Sequence, residues 1–498
     1  MFFLVPATSM KQKFTYIDVF SGCGGLSLGL EKAGFSLELA IEKSDMAAET
    51  FYHNFIKKIS DKPEWEKHLS KPILEQAQSK LIVKEVQEVL KCQELMKELC
   101  QKNIDLLVGG PPCQGFSLAG RRNPKDVRNL LPWQFLELVE KIQPKAVLIE
   151  NVAGMRQNFV KHDEEAPFEQ LRVALSQTGA GYAVQPVLLN AMHYGVPQHR
   201  PRVMLLAIRK DISDFLGLTI TEETWKSEYD FNNNTLFPER PMLAPKATHG
   251  EDETLTVKDA LWDLSDTGYR TLERDHRYEQ RKGAFAMQAR QGWLKPRIGQ
   301  LSSSRSVRNH VLRNHAEQIV LRFRLYQYLR NNGIPSNILN VPAQIKGETQ
   351  RKMLPVKALL SNAKLPAKSP DSYVLAKTID DLAELIISLG TKKHSQRPLD
   401  WKEPSPTIVS LPDDFVHPSS PRTMTVRELA RLQSFPDSFE FRAKETTGSL
   451  RRRFEVPQYT QVGNAVPPLL AVAVGKVFHE VLSRYEEAEN AESYKEAV

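Results

Sequence analysis

The sequence predicts an α/β protein: a doubly wound, mostly parallel sheet with a smaller, irregular second domain. Three observations lead there. Six short runs rich in Val, Ile and Leu recur within the first 210 residues: FTYIDVF (14–20), LELAIE (37–42), IDLLVGG (104–110), AVLIENV (146–152), VQPVLLN (184–190) and RVMLLAI (202–208). They show little apolar–polar alternation, as in strands covered on both faces. Stretches of helical periodicity lie between them, which is the spacing of parallel crossovers.

Length and composition narrow the class. A chain of 498 residues is long enough for two or three domains and a real core. The four cysteines, Cys23, Cys92, Cys100 and Cys113, form no CxxC pair. That argues against a zinc site and against disulfide staples, and so for a reducing, cytoplasmic compartment. The start MFFLVPATSMKQK places its charges after a short apolar stretch, the wrong order for a signal peptide. No apolar run approaches the ~18 residues that a membrane span needs.

The net charge of +7 is localised. Residues 270–330 hold twelve Arg and two Lys against three Glu and one Asp, a local net of +10. Such a segment matches a polyanionic partner. The chain is therefore expected to divide into an α/β domain over 1–210, a basic region of sparse strands over 211–393, and a segment over 394–498 that completes the first domain. Within the basic region, AEQIVLRFRLYQYLR (316–330) reads as an amphipathic helix with Arg on its polar side. Later, TVRELARLQSF reads as a helix opening after Thr425, and VPPLLAVAVGKVFHEVL as an apolar helix entered through Pro467 and Pro468. The stretch from Phe55 to Asn103 reads as an added helical excursion. The acidic tail from Glu486 is expected to fray.

The run DVFSGCGGLSLGL (18–30) is a strand, a tight turn and a helix start. Gly22, Gly24 and Gly25 permit close backbone approach. Glu42 follows about twenty residues on, at the end of the next strand, where a carboxylate can accept from ribose hydroxyls. The third glycine of the pyrophosphate fingerprint is missing. That favours a cofactor without phosphates, and S-adenosylmethionine offers an adenine, a ribose and a charged amino-acid end.

GGPPCQGFS (109–117) leaves a buried strand at its carboxyl end, where open α/β sheets place their chemistry. Two prolines stiffen the loop and glycines clear space around Cys113. Glu150 closes the next strand. In a parallel sheet Gly22, Glu42, Cys113 and Glu150 meet on one rim. Alternation along QHRPRV (198–203) puts Gln198, Arg200 and Arg202 on one face.

Together these motifs resemble the DNA (cytosine-5-)-methyltransferase family of restriction-modification systems. The Gly-rich turn, the Glu42 strand, PPCQGFS, ENV (150–152), QHRPR, RELARLQSFP (427–436) and QVGNAVPP (461–468) occur in the family's order. The resemblance implies a Rossmann-like, AdoMet-dependent fold with a target-recognition domain over 211–393. It implies that Phe20 stacks on the adenine, with Gly22, Gly24, Gly25 and Leu26 lining the cofactor and Glu42 holding the ribose. Pro112, Leu131, Asn464 and Val466 would close that pocket. Cys113 would be the nucleophile, Glu150 would contact the cytosine ring, and Arg202 with Arg200 would orient the base. The family's Asp after the third strand is replaced here, with Glu85 in KEVQEV (84–89) as the candidate. DNA contacts are expected from Gln114, Ser117, Gln198, Arg305, Arg308 and Arg313. No metal is expected. The expected partner is double-stranded DNA, bound by a monomer in a prokaryotic cytoplasm, with a cognate restriction endonuclease in the same system.

Two other readings use the same residues. An RNA cytosine methyltransferase on this scaffold would carry PPCQPFT, where this chain has PPCQGFS. A DNA-binding regulator with a dead methyltransferase fold would be expected to lose Cys113 or Glu150.

Overall fold

Tyr16 and Ile17 are neighbours in sequence, yet each is fully buried and they join different apolar clusters. Leu106 and Leu107 part in the same way, as do Leu148 and Ile149. This is the side-chain alternation of a strand with both faces covered, and it explains the near-continuous apolar runs. The computed structural model describes residues 14–112, 130–156, 166–228, 240–264, 285, 289, 307–340, 349–393, 395–448, 451 and 454–496.

Eight strands form the main sheet: β1 (Thr15–Val19), β2 (Ser36–Ile41), β3 (Leu81–Ile82), β4 (Leu106–Gly109), β5 (Ala146–Val152), β6 (Tyr182–Asn190), β7 (Pro201–Arg209) and β8 (Trp225–Lys226). Their order is β3-β2-β1-β4-β5-β7-β6-β8. From β3 to β5 every pairing is parallel, while β7 runs antiparallel to both neighbours. The link from β6 to β7 is too short for a parallel crossover. The sheet is therefore mostly parallel. The parallel half has its topological switch between β1 and β4, where such sheets bind ligands.

Helices Val86–Lys91, Gln93–Gln101, Leu131–Ile142 and Pro167–Gln177 cover one face. Helices Gly25–Lys32, Lys210–Leu216, Val257–Leu261, Val426–Leu432 and Pro468–Glu496 cover the other. A Cβ on Gly29 would strike Ala471, and one on Gly475 would come within 2.7 Å of Ala33. These two glycines let the last helix lie directly on the first. That helix runs to Glu496, so the acidic tail continues it instead of fraying at Glu486. No single helix among the described residues is long and apolar enough to cross a membrane.

Two expectations need correction. The excursion from Phe55 to Asn103 contains strand β3 as well as helices; two residues are too few to interrupt a helical pattern visibly. The boundary after residue 210 falls inside the sheet's own packing, because β8 pairs with β6 and Leu243, Ala244, Val257, Ala260 and Leu261 join the core of the sheet. A separate core forms only from Phe323 to Leu389, with Val416 added. In it lies helix Glu317–Asn331, as the sequence predicted.

Helix Val426–Leu432 joins these parts. Thr425 caps it, accepting from Glu428 N while Glu428 accepts from Thr425 N at 2.8 Å. Its charged side chains Arg427, Glu428 and Arg431 are fully buried. Arg431 donates to both oxygens of Asp437 and both of Asp263. Glu428 accepts two bonds from Arg422, at 2.7 and 2.8 Å, which hold its carboxyl down at about 2 despite burial. Replacing Arg431 with Met leaves two carboxylates buried beside an apolar chain. The expected loss is ~3–5 kcal/mol of stability in urea unfolding. A loss under ~1 kcal/mol would show that this charge cluster does not hold the parts together.

Candidate active site

At the carboxyl end of β1 the backbone turns through left-handed positions at Phe20 (φ 61°), Gly22 (φ 55°) and Gly24 (φ 96°). Gly24 cannot carry a side chain, because a Cβ would run into the Phe55 ring. Gly25 lies under the carbonyl oxygen of Val466, again with no room for one. Gly22 differs: no described residue lies within 4 Å of where its Cβ would be. Glu42 reaches the turn. Its two oxygens accept from Gly22 N at 2.9 Å and Ser44 N at 2.7 Å. A carboxylate has about four acceptor sites in all, so it can accept from more than these two donors. Below the turn, Asp18 accepts from Ser27 Oγ at 2.5 Å, and burial pushes its carboxyl up to about 7. Sequence reasoning passed over Asp18 because it is one more residue inside an apolar strand.

The opposite wall comes from the far end of the chain. Helix Gln458–Asn464 ends with Asn464 exposed and Ala465 and Val466 buried against the turn. Arg200 fixes this segment. Its guanidinium donates to the carbonyls of Gly463 (2.7 Å), Ala465 (3.1 Å) and Ile408 (3.0 Å), with no exposed surface. Gln433 Nε2 adds a bond to Val462 O at 2.7 Å. Leu131 opens helix Leu131–Ile142, whose Phe135 packs under Gly109. Leu26 is buried in the first helix. Glu85 follows β3 as the N-cap of helix Val86–Lys91, exposed and paired with Lys43 at 3.4 Å.

Across the switch point, Glu150 lies near the carboxyl end of β5. Its Oε1 accepts from Arg202 Nε at 2.9 Å, and both side chains are nearly buried. Arg202 reaches it because Val152 and Arg202 are register partners on β5 and β7. Burial pushes the Glu150 carboxyl above its ordinary range, against the pull of Arg202 and then Arg200. The chain leaving β4 passes over this carboxyl: a Cβ on Gly110 would lie 3.1 Å from Glu150 Oε2. Asn151 Nδ2 donates to Pro111 O at 2.9 Å and ties down the same loop. Asn151 was missed because only the carboxylate of ENV suggested chemistry. Pro112 is exposed at the end of this stretch. Cys113, Gln114, Ser117 and Arg305 lie outside the described residues.

Some expected contacts are placed elsewhere. Gln198 is fully buried, donating to Leu432 O and Gln433 Oε1 and accepting from Ile408 N. It is part of the scaffold, not of a DNA-facing surface. Arg200 and Arg202 differ in partners: Arg200 donates to backbone carbonyls and Arg202 to Glu150. Arg308 and Arg313 are at the surface with acidic neighbours, Glu440 and Asp413 respectively. Among the described residues no group of three His, Cys, Asp or Glu is placed to hold a metal ion.

A family model described as C-5 cytosine-specific DNA methylase matches residues 14–480. The type II methyltransferase M.DdeI of Desulfomicrobium norvegicum is 30% identical over 463 residues, covering 92% of this chain and 87% of its own. M.AgeI of Thalassovita gelatinovora is 28% identical, with 94% and 99% covered. A solved structure from an E. coli prophage, assigned as a DNA modification methyltransferase, superposes with a TM-score of 0.55 at 24% identity, over 94% of this chain and 99% of its own. This last likeness is one of fold.

The raised carboxyl of Glu150 carries a sign. It binds its proton more tightly in the folded than in the unfolded chain, so its contribution is full below the unfolded value, about 4.3, and is lost as pH rises through the folded value. Glu150→Gln removes that titration. Relative to the parent, the variant should therefore gain stability as pH rises across this window, by at most about 1.4 kcal/mol per pH unit. Urea unfolding from pH 4.5 to 7.5 measures it, and a difference that stays flat would mean that Arg202 outweighs burial.

Proposed function

The chain belongs to the C-5 cytosine-specific DNA methylase family, and from that premise we propose that it transfers a methyl group from S-adenosylmethionine to carbon 5 of a flipped-out cytosine in duplex DNA, through Cys113. The observation that carries this reading is the buried Glu150–Arg202 pair, lying beneath the Gly110–Pro111 chain that leads to Cys113. The type II methyltransferases among its relatives support a place as the modification enzyme of a restriction-modification system.

The residues present fit the cofactor. The side of the turn at Gly22, the Glu42 carboxylate, and Phe20 and Leu26 would hold its adenosine, with Asn464 and Val466 closing the pocket and Pro112, Leu131 and Glu85 at its margins. When bound, it supplies an electrophilic methyl group on sulfonium.

Carbon 5 of cytosine is too weakly nucleophilic to accept that methyl unaided. The Cys113 thiolate adds to carbon 6 and moves electron density onto carbon 5. A free thiol, with a pKa of about 8.5, needs help to ionise at neutral pH. Glu150, whose carboxyl keeps its proton above the ordinary range, donates it to ring nitrogen 3 as the thiolate adds. Arg202 holds Glu150 in place beside the base. Once carbon 5 is methylated, a base removes the proton at that carbon and the thiolate leaves carbon 6, restoring the aromatic ring. Arg200 acts at one remove, by keeping the 463–466 wall against the glycine turn. Flipping the cytosine costs a few kcal/mol, which phosphate contacts from the basic region, Arg308 and Arg313 included, help to offset.

Methyl transfer from labelled cofactor to mixed-sequence DNA tests the reading. The parent should place label in 5-methylcytosine, and Cys113→Ser should lose more than about 10³-fold of that activity. Label appearing in RNA but not in DNA would favour the RNA reading, and DNA binding without any transfer would favour the regulator.

A further inference from the structure

Strands β4 and β5 pair in parallel register as far as Gly109 opposite Ile149, and the ladder ends there. The sequence explains why. Residues 111 and 112 are both proline, which has no backbone N–H with which to extend the pairing.

Two side chains of β5 take over where the ladder stops. Counting on from the last pair sets Glu150 against Gly110 and Asn151 against Pro111. Gly110 lies close over the acid, since a Cβ there would be 3.1 Å from Glu150 Oε2. Pro111 is held by the neighbouring amide: Asn151 Nδ2 donates to Pro111 O at 2.9 Å. The other end of that amide accepts from Val152 N at 2.9 Å, which turns its NH2 group toward the carbonyl. Asn151 is buried, and its backbone stands opposite Val203 on β7, so the amide is mounted on a strand paired on both sides of the sheet. Burial shields the bond to Pro111 from competing water.

This mount bears directly on the nucleophile. Cys113 follows Pro111 by two residues, and two residues of chain span at most about 7 Å. Fixing Pro111 therefore limits how far Cys113 can stand from the Glu150 carboxyl, which Arg202 fixes from the other side at 2.9 Å. Acid and tether rest on adjacent residues of one strand.

We infer that Asn151 is a positioning residue for the reaction: by holding Pro111, its carboxamide sets the distance between the Cys113 nucleophile and the Glu150 acid. The inference rests on the reaction proposed above. There the thiolate must reach carbon 6 while the carboxyl reaches nitrogen 3 of the same rigid ring, so the two groups have little freedom relative to each other. A misplacement of about 1 Å can cost about 10²-fold in rate.

The test compares the parent with Asn151→Ala, which deletes the donor, and Asn151→Asp, which keeps the shape but turns a carboxylate oxygen toward the Pro111 carbonyl. On the duplex whose methylated cytosine sequencing identifies, both should lose about 10²-fold in kcat. The KM for DNA and the Kd for S-adenosylmethionine should stay within about threefold of the parent's, with the thermal midpoint little changed. The rate of covalent adduct formation on DNA with 5-fluorocytosine at the target should fall by the same factor as kcat. On that base the thiolate adds to carbon 6 and the methyl group goes to carbon 5, but fluorine replaces the proton that must leave, so the adduct persists. Asn151→Ala carries the test if Asn151→Asp does not fold. A kcat for Asn151→Ala within about threefold of the parent's, or a loss shared equally by cofactor affinity and thermal midpoint, overturns the assignment and leaves the reaction standing. A parent that methylates no DNA overturns the reaction and the assignment with it.

Discussion

One buried guanidinium sets the geometry of the site. Arg200 has no exposed surface and no carboxylate bonded to it; it is held by carbonyls of Ile408, Gly463 and Ala465. Burying that charge is costly, and burial drives its pKa down. Three carbonyl dipoles offset the cost only if both chain segments stay in place. The return is that residues more than 260 positions away are locked against the glycine turn, where Val466 O lies too close to Gly25 for any side chain. The proposed cofactor site would therefore be a joint product of the chain's two ends, closed by a side chain from between them.

The same principle operates in helix Val426–Leu432. Its three charged side chains face inward, and each finds partners on a different part of the chain: Arg427 on 308–309 and 436–439, Glu428 on Arg422, Arg431 on Asp263 and Asp437. A buried charge with fixed partners tolerates little displacement, since moving any partner leaves it unpaired. The smaller core from Phe323 to Leu389 abuts this hub: Gln327 donates to the carbonyls of His417 and Ser420, beside Glu428. The candidate site and the basic region thus meet at one cluster of buried charges.

Division of labour among the arginines follows from their surroundings. Arg202 pairs with Glu150 at the rim; Arg200, two residues earlier, spends its guanidinium on backbone. Glu150 is pulled both ways, by burial toward the neutral acid and by Arg202 toward the carboxylate. In the proposed reaction that balance is useful, because the group must hold a proton until the ring nitrogen becomes more basic, and then give it up.

Much of this was legible in the residues. Strands β1, β2, β4, β5, β6 and β7 follow from apolar runs, because burial on both faces leaves an unmistakable composition. The rim followed from topology: in a parallel sheet strand ends meet, so Gly22, Glu42 and Glu150 had to gather at one edge. The helix after Thr425 was readable from its capping pair. What the sequence left undecided are partnerships across long separations. Nothing local distinguishes Arg200, bonded to the 463–465 backbone, from Arg202, paired with Glu150. Nothing local shows that Gln198 is interior, that residues 243–261 join the sheet's core, or that Arg427 and Arg431 are buried. A charged side chain reads as surface until its partner is brought to it, and only the tertiary structure brings it.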